Sequence, residues 1–380
     1  MKIGFYSSMP LENKRNWSGT MYKMYEQILA SGHEVEWIPQ QVLDDKEANI
    51  LNRIQNTFYR IFHRGYNTKV NYYSSRRLGR KITSFLKQKD YDFIFAPTYL
   101  NDFAFVKTDI PIIYLNDATV AQLLNYYPYY SGFGLLSKLE TQWIEKKMLK
   151  KATVNIFSSE WAANWAVHQY KIDENKVKVL KFGANLEVPD PWTFEKKLEG
   201  DIVFLFLAVD WIRKRGDLAY QSLKRLRDKG FPVKMQIIGC NPDIKEEWVH
   251  IIPFLNKNNP EELKEIQRHL LHAHFLFVPT KADCTPIAFC EAAGYGLPVI
   301  STDTGGVSAH VESGKTGVLL PQHASPEDYA NAIESILTHP EKIKAMSIAS
   351  REKYEKELNW EVWRTRFSEI TNNLINKTDH

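Results

Sequence analysis

The sequence predicts an α/β fold built from two doubly wound domains, each a parallel sheet covered by helices on both faces. Three observations carry that expectation. Short apolar runs alternate with longer helical patterns from one end of the chain to the other, as parallel βαβ units require. The stretch Glu187-Val188-Pro189-Asp190-Pro191, with two prolines close together, interrupts the alternation near the middle. At 380 residues the chain exceeds one ordinary domain and suits two.

Taken in order, Lys2 to Tyr6 reads as a strand, and a polar loop leads to a helix from about Thr20 to Ala30, closed by Gly32. Val35–Ile38, Phe93–Ala96 and Ile112–Leu115 are further short strands bounded by Pro, Asn and Asp. A helix holding Trp143, Ile144 and Met148 precedes the strand Val154–Phe157, and Val177–Leu180 ends the first half. The second half repeats the scheme: strand Ile202–Val209, helix Asp217–Lys229, and strands Val233–Ile238 and Phe275–Pro279. A helix from Pro286 to Ala293 and strands Pro298–Ser301 and Gly317–Leu320 follow. From Pro326 the pattern is helical and ends in a segment rich in Trp360, Trp363 and Phe367. The expected domains are residues 1–187 and 188–358, with 359–380 packing back on the first. In doubly wound sheets ligands sit at the carboxyl ends of strands, which makes the crevice between two such domains the expected site.

Composition sets the outer bounds. With 44% apolar and 25% charged residues the chain is neither disordered nor collagenous nor a coiled coil. Its longest strictly apolar stretch, Ile202–Val209, falls far short of the about 20 residues of a membrane span. The start lacks the features of a secretory signal. Three cysteines (Cys240, Cys284, Cys290) lack metal-ligand spacing and fit a reducing compartment. A cytoplasmic protein is expected, with peripheral attachment to the inner face of the membrane as an option.

Net charge is +4, but unevenly spread. Between Leu51 and Lys89 stand Arg53, Arg60, Arg64, Lys69, Arg76, Arg77, Arg80, Lys81, Lys87 and Lys89, and no acid. Phe58, Tyr59, Phe62, Tyr66, Tyr72 and Tyr73 are interleaved with them. Cations among aromatics suit an anionic membrane surface or a polyanionic acceptor. A solvated helical face with inward aromatics explains the run equally well. Nucleic acid is not expected as a partner, because no recognition motif accompanies the charge.

The most informative stretch is VPTKADCTPIAFCEAAGYGLPVISTDTGG, from Val278 to Gly306. Thr285-Pro286 reads as an N-cap and first helical residue, with Asp283 in the loop before the helix and Glu291 in its second turn. The amides at such a helix start, with the positive end of the dipole, suit a phosphate or sugar oxygen. A carboxylate on either side could hold hydroxyls flanking a diphosphate, although two acids around a capped helix are common for structural reasons alone.

This stretch resembles the signature of family 4 glycosyltransferases, retaining enzymes of the GT-B fold. The matching elements are Asp283, Glu291, Gly296-Leu297-Pro298-Val299-Ile300 and Thr304-Gly305-Gly306. The resemblance implies that Asp283 contacts donor-sugar hydroxyls and Glu291 the ribose, with Cys284, Thr285 and Ile287 at the diphosphate. The family usually has Glu where Asp283 stands. Asp210-Trp211-Ile212-Arg213-Lys214-Arg215-Gly216-Asp217 resembles the family's basic loop, with Lys214 on the donor diphosphate. The family's earlier Gly-Arg pair is absent, and Arg213 is a candidate substitute. Near Asn258 the backbone would meet the base, and Gly19 in Ser18-Gly19-Thr20 would bring an amide to the phosphates, although helix capping explains that tripeptide equally well. Asp117, in Asn116-Asp117-Ala118-Thr119, stands where many relatives carry a His beside the reacting sugar; the alternative is an Asp capping the next helix. Tyr126, Tyr127, Tyr129 and Tyr130 are candidates for an acceptor groove or for core.

The implied activity is retaining transfer of a hexose from a nucleotide diphosphate sugar, UDP-sugar foremost, to a hydroxyl of a glycan or lipid-linked acceptor in cell-surface polysaccharide or glycolipid synthesis. No cofactor and no metal are expected. A sugar-nucleotide epimerase and a non-catalytic membrane- or polymer-docking binder are the alternatives. Gly4-Phe5-Tyr6-Ser7-Ser8-Met9 fails the dinucleotide fingerprint. Asp90-Tyr91-Asp92 precedes its strand, the wrong end for the metal site of a GT-A transferase.

Overall fold

A computed structural model describes residues 1–375 apart from 15, 99, 195 and 197–199; residues 376–380 of the expected tail lie outside the described residues. Two six-stranded sheets, parallel at every pairing, organise it. The first contains β1 (Lys2–Ser7), β2 (Glu34–Pro39), β3 (Phe93–Pro97), β4 (Ile112–Asn116), β5 (Val154–Phe157) and β6 (Val177–Val179), in the order β2-β1-β3-β4-β5-β6. The second contains β7 (Ile202–Leu207), β8 (Val233–Ile238), β9 (Val249–Ile252), β10 (Phe275–Val278), β11 (Val299–Thr302) and β12 (Gly317–Leu320), in the order β12-β11-β10-β7-β8-β9. β3 and β4 are buried at every residue, as strands covered on both faces must be, which is why they read as unbroken apolar runs. β9 lies at an edge, and its His250 is exposed, so it lacks such a run.

Contacts divide the chain into two compact units, Met1–Leu180 with Arg364–His380, and Lys181–Trp363. The second unit begins before the two prolines because Leu186 joins its apolar core and Ala184 packs with Cys290 and Leu358. Helix Trp360–Ile375 starts in the second unit and continues in the first, where Phe367 sits edge-on to Phe95 at 5.2 Å.

Two helices between β2 and β3 carry the basic run. Asp45–Phe62 starts at a capping box, in which Asp44 accepts from the Glu47 amide at 2.9 Å and Glu47 from the Asp44 amide at 3.1 Å. Tyr72–Leu86 is capped by Asn71. The predicted first helix, Thr20–Ala30, is present with those bounds.

Candidate active site

In the second sheet β7 and β10 are neighbours, while the chain leaves β7 toward β8 on one side and β10 toward β11 on the other. That is a topological switch point, where the loops after the two strands diverge and leave a crevice at their carboxyl ends. The loop after β7 supplies Asp210 to Lys214, and the loop after β10 supplies Thr280 to Thr285.

These loops are tied together. Asp210 accepts from the Arg213 amide at 3.0 Å and from its Nε at 3.2 Å, while Arg213 Nη1 donates to the Ala282 carbonyl at 2.9 Å. The Lys281 amide donates to the Arg213 carbonyl at 2.8 Å. Arg213 thus braces one loop against the other. Lys214 forms an ion pair with Asp283, both side chains largely buried. From the loop after β11, the Gly306 amide donates to the Asp283 carbonyl at 3.1 Å, which stitches the Gly-Gly loop to the same point.

Glu291 stands in helix Ile287–Gly294 and is wholly buried. The helix begins one residue later than Thr285-Pro286 suggests. Pro286 is the N-cap residue, with no side-chain hydrogen bond to the helix start, so Thr285 does not cap it. Its other end is held by helix Pro340–Glu357: Arg351 Nη1 donates to the carbonyls of Gly294 at 2.6 Å and Pro189 at 2.9 Å, Ser350 Oγ to that of Leu297 at 3.0 Å, and Ser347 Oγ to that of Gly296. Carbonyls left over at a helix end are thereby satisfied inside the core. Both oxygens of Glu291 accept from Lys257 Nζ, at 2.5 and 2.6 Å. Lys257 lies in the loop between β9 and helix Pro260–His272, with no sequence motif around it to signal the pairing.

Cys284 is buried, and Thr285 and Ile287 are half-buried at the start of that helix. The Asn258 amide donates to Asn256 Oδ1 at 3.0 Å, so its N–H is engaged within its own loop. His310, behind the Gly-Gly loop, is buried; its Nδ1 lies 3.0 Å from the Gly306 carbonyl, its Nε2 has no partner, and burial pulls its pKa down to about 4. Among the described residues no group of three or more His, Cys, Asp or Glu is arranged to hold a metal ion.

In the first unit β1 and β3 form the equivalent switch point. Gly19 precedes helix Thr20–Ala30 at φ 89°, a left-handed conformation that glycine adopts without a Cβ clash, and no side chain caps this helix. Nor does Asp117 cap the helix Val120–Leu123 after β4: Thr119 does, in a Thr-x-x-Gln capping box with Gln122. Asp117 is half-buried, its amide bonded to Asn116 Oδ1 at 2.9 Å. Beneath that helix the buried Glu145 accepts from the amides of Val120 at 2.5 Å and Ala121 at 3.2 Å and from the Tyr170 hydroxyl at 2.5 Å. Burial raises its pKa to about 7, opposed by those bonds. Of Tyr126, Tyr127, Tyr129 and Tyr130, Tyr129 is exposed and the others half-buried, with Tyr130 packed against the apolar core of this unit.

Of the basic candidates, Arg53, Arg60, Arg64, Arg76 and Arg80 are exposed. Lys81 pairs with Glu47 at 2.7 Å and Arg77 lies 3.8 Å from the same carboxylate. These two link helix to helix. The aromatics do not all turn inward, since Tyr59, Phe62 and Tyr72 are exposed.

Two six-stranded Rossmann-like sheets with a lysine–acid site at a switch point define a GT-B protein, and solved structures agree. Sucrose-phosphate synthase from Thermosynechococcus elongatus superposes with a TM-score of 0.65 at 14% identity, over 99% of both chains. HepE from Anabaena, in complex with UDP and glucose, does so with 0.63 at 15% identity, over 98% of this chain and 100% of that one. Residues 20–188 match the family model described as Glycosyltransferase Family 4, and residues 191–353 the one described as Glycosyl transferases group 1. The chain belongs to the family 4 glycosyltransferases. The D-inositol 3-phosphate glycosyltransferase of Rhodococcus erythropolis (strain PR4) is 26% identical over 218 residues, 52% of this chain and 48% of the relative. That of Rhodococcus opacus (strain B4) is 29% identical over 216 residues, 51% of this chain and 47% of the relative. The chain spans about half the length of the curated relatives it matches.

Proposed function

We propose that the protein is a retaining glycosyltransferase that moves a hexose from a nucleotide diphosphate sugar, UDP-sugar foremost, to a hydroxyl of a glycan or lipid-linked acceptor. The observation that carries this reading is the pair of acids around helix Ile287–Gly294, Asp283 and Glu291, each buried and each held by a lysine. Burying a carboxylate is costly unless it is paired. Asp283 takes sugar hydroxyls and Glu291 the ribose, while Lys214 and the first amides of the helix meet the diphosphate. As the bond from the anomeric carbon to the phosphate oxygen breaks, negative charge grows on the leaving diphosphate, and fixed donors aimed there lower the barrier. This assigns charge neutralisation to Lys214 and the helix rather than to a metal. Asp117 is the candidate for the group beside the anomeric carbon, orienting the donor or drawing the proton from the acceptor hydroxyl.

A relative solved with UDP and glucose supports the UDP preference. The exposed arginines of helices Asp45–Phe62 and Tyr72–Leu86 favour an acceptor carried at an anionic surface, in polysaccharide or glycolipid synthesis. Incubation of the purified protein with a panel of sugar nucleotides, with and without glycan and lipid-linked acceptors, tests the reading. Acceptor-dependent release of nucleoside diphosphate supports it. Conversion to an isomeric sugar nucleotide would make the protein an epimerase, and no turnover of any donor a binder.

A further inference from the structure

Helix Leu135–Lys151 turns large apolar side chains outward. Leu135 is 71% exposed, Leu136 55%, Leu139 53% and Trp143 50%. At about 100° per residue these four fall within an arc of roughly 100°, and Lys146, Lys147 and Lys150 continue nearly the same face one to two turns further on. The helix has two acids, and both are turned to the protein: Glu140 accepts from the Tyr72 amide at 3.0 Å, and Glu145 is buried on the Val120 and Ala121 amides. What it offers outward is apolar in its first half and cationic in its second.

This face is continuous with the basic run. Gly65 exchanges backbone hydrogen bonds with Gly132 at 3.0 Å and Gly134 at 2.9 Å, so helix Asp45–Phe62 ends where helix Leu135–Lys151 begins. That end exposes Ile61 and Phe62 beside Arg60 and Arg64. On the other side the Trp143 ring lies 6.2 Å from that of Tyr72, next to the exposed Arg76. Exposed leucines, a tryptophan and a tyrosine ringed by arginine and lysine, without an outward acid on the helix, are the composition of elements that lie in the headgroup layer of a bilayer. A protein partner for so cationic a rim would have to be acidic, whereas an anionic bilayer supplies the charge and the apolar depth together.

We propose that the outward face of helix Leu135–Lys151 inserts into an anionic lipid surface, with the neighbouring arginines on the headgroups. The inference rests on the anionic-surface reading of the basic run and adds the apolar element that seats it, independently of the donor assignment. The test is flotation of the whole protein with phosphatidylcholine vesicles, with and without phosphatidylglycerol, at low and at high salt. The expected result is binding only with phosphatidylglycerol, weakened by salt and reduced roughly tenfold or more in Leu136→Ser/Leu139→Ser, whose sites are already exposed. A double variant Arg60→Ser/Arg64→Ser is expected to lose much of the salt dependence. Circular dichroism and the melting temperature check that both variants fold. If the native protein floats but the leucine variant floats equally well, the insertion is wrong and the basic-run reading stands. If the native protein fails to float at low salt, both are wrong.

Discussion

Replacing Glu291 with Gln separates ligand binding from folding at one atom position. The side chain is wholly buried, and Gln has its volume, so no cavity opens. The change removes the charge that Lys257 holds with two short hydrogen bonds. Lys257 is 38% exposed and can turn its ammonium to water, so the orphaned cation should cost the fold about 1 kcal/mol or less. Ribose hydroxyls have no such alternative. Donating to a carboxylate rather than to an amide oxygen is worth about 1–3 kcal/mol in a site closed to water, or roughly 5- to 150-fold in Kd. Isothermal titration with nucleoside diphosphates, alongside thermal denaturation, measures both quantities. The expected outcome is a melting temperature near that of the native protein with a nucleotide Kd raised by that factor. A Kd within twofold of native in a folded variant would refute the assignment of Glu291 to the ribose.

Lys214→Met should lower kcat/KM for transfer roughly 10²- to 10³-fold by removing a donor to the leaving diphosphate, and should destabilise the fold by about 1–3 kcal/mol by orphaning Asp283. Adding Asp283→Asn should restore the melting temperature and leave activity low; recovery of activity in the double variant would overturn the role of Lys214. Two buried groups should also act on stability in opposite senses between about pH 4 and 7. Burial gives Glu145 a pKa of about 7 against an ordinary 4.5, so the folded state holds a proton the unfolded chain releases. Its contribution is complete below pH 4.5 and is lost as pH rises to about 7, on the order of 3 kcal/mol. His310 acts in the opposite sense, with its contribution complete above pH 6.5 and lost as pH falls toward 4. Chemical denaturation of Glu145→Gln from pH 4 to 9 should show stability falling more steeply than in the native protein as pH drops from 7 toward 4.5, because the opposing Glu145 contribution is gone, with parallel curves at alkaline pH. A native slope between pH 7 and 4.5 in the variant would place the titrating group elsewhere.

Strands buried on both faces were legible in the sequence because burial leaves an unbroken apolar run, as in Phe93–Ala96 and Phe275–Val278. β9 carries no such run, since it is an edge strand with an exposed His250. The two acids stand out in the sequence through the family resemblance of Asp283, Glu291 and the Gly-Gly loop, since their spacing to a helix start is common for structural reasons alone. Their partners do not: Lys257 reaches Glu291 across 34 positions, and only the sheet order brings β9 and its loop to that helix. Two caps were misjudged for local reasons. Thr285-Pro286 has the composition of a cap, but the backbone starts the helix one residue on, and Thr119-Val120-Ala121-Gln122 is a capping-box pattern that could have displaced Asp117 as cap.

The lysines on Asp283 and Glu291 also govern what an incoming anion feels before it arrives. Two unpaired carboxylates around helix Ile287–Gly294 would repel a diphosphate over a distance of about one screening length, near 10 Å in ordinary buffer. Joined to ammonium groups, they act as dipoles whose field decays much faster with distance. On the proposed donor assignment, the resting protein keeps acids ready for hydroxyls without warding off the phosphate that must come with them.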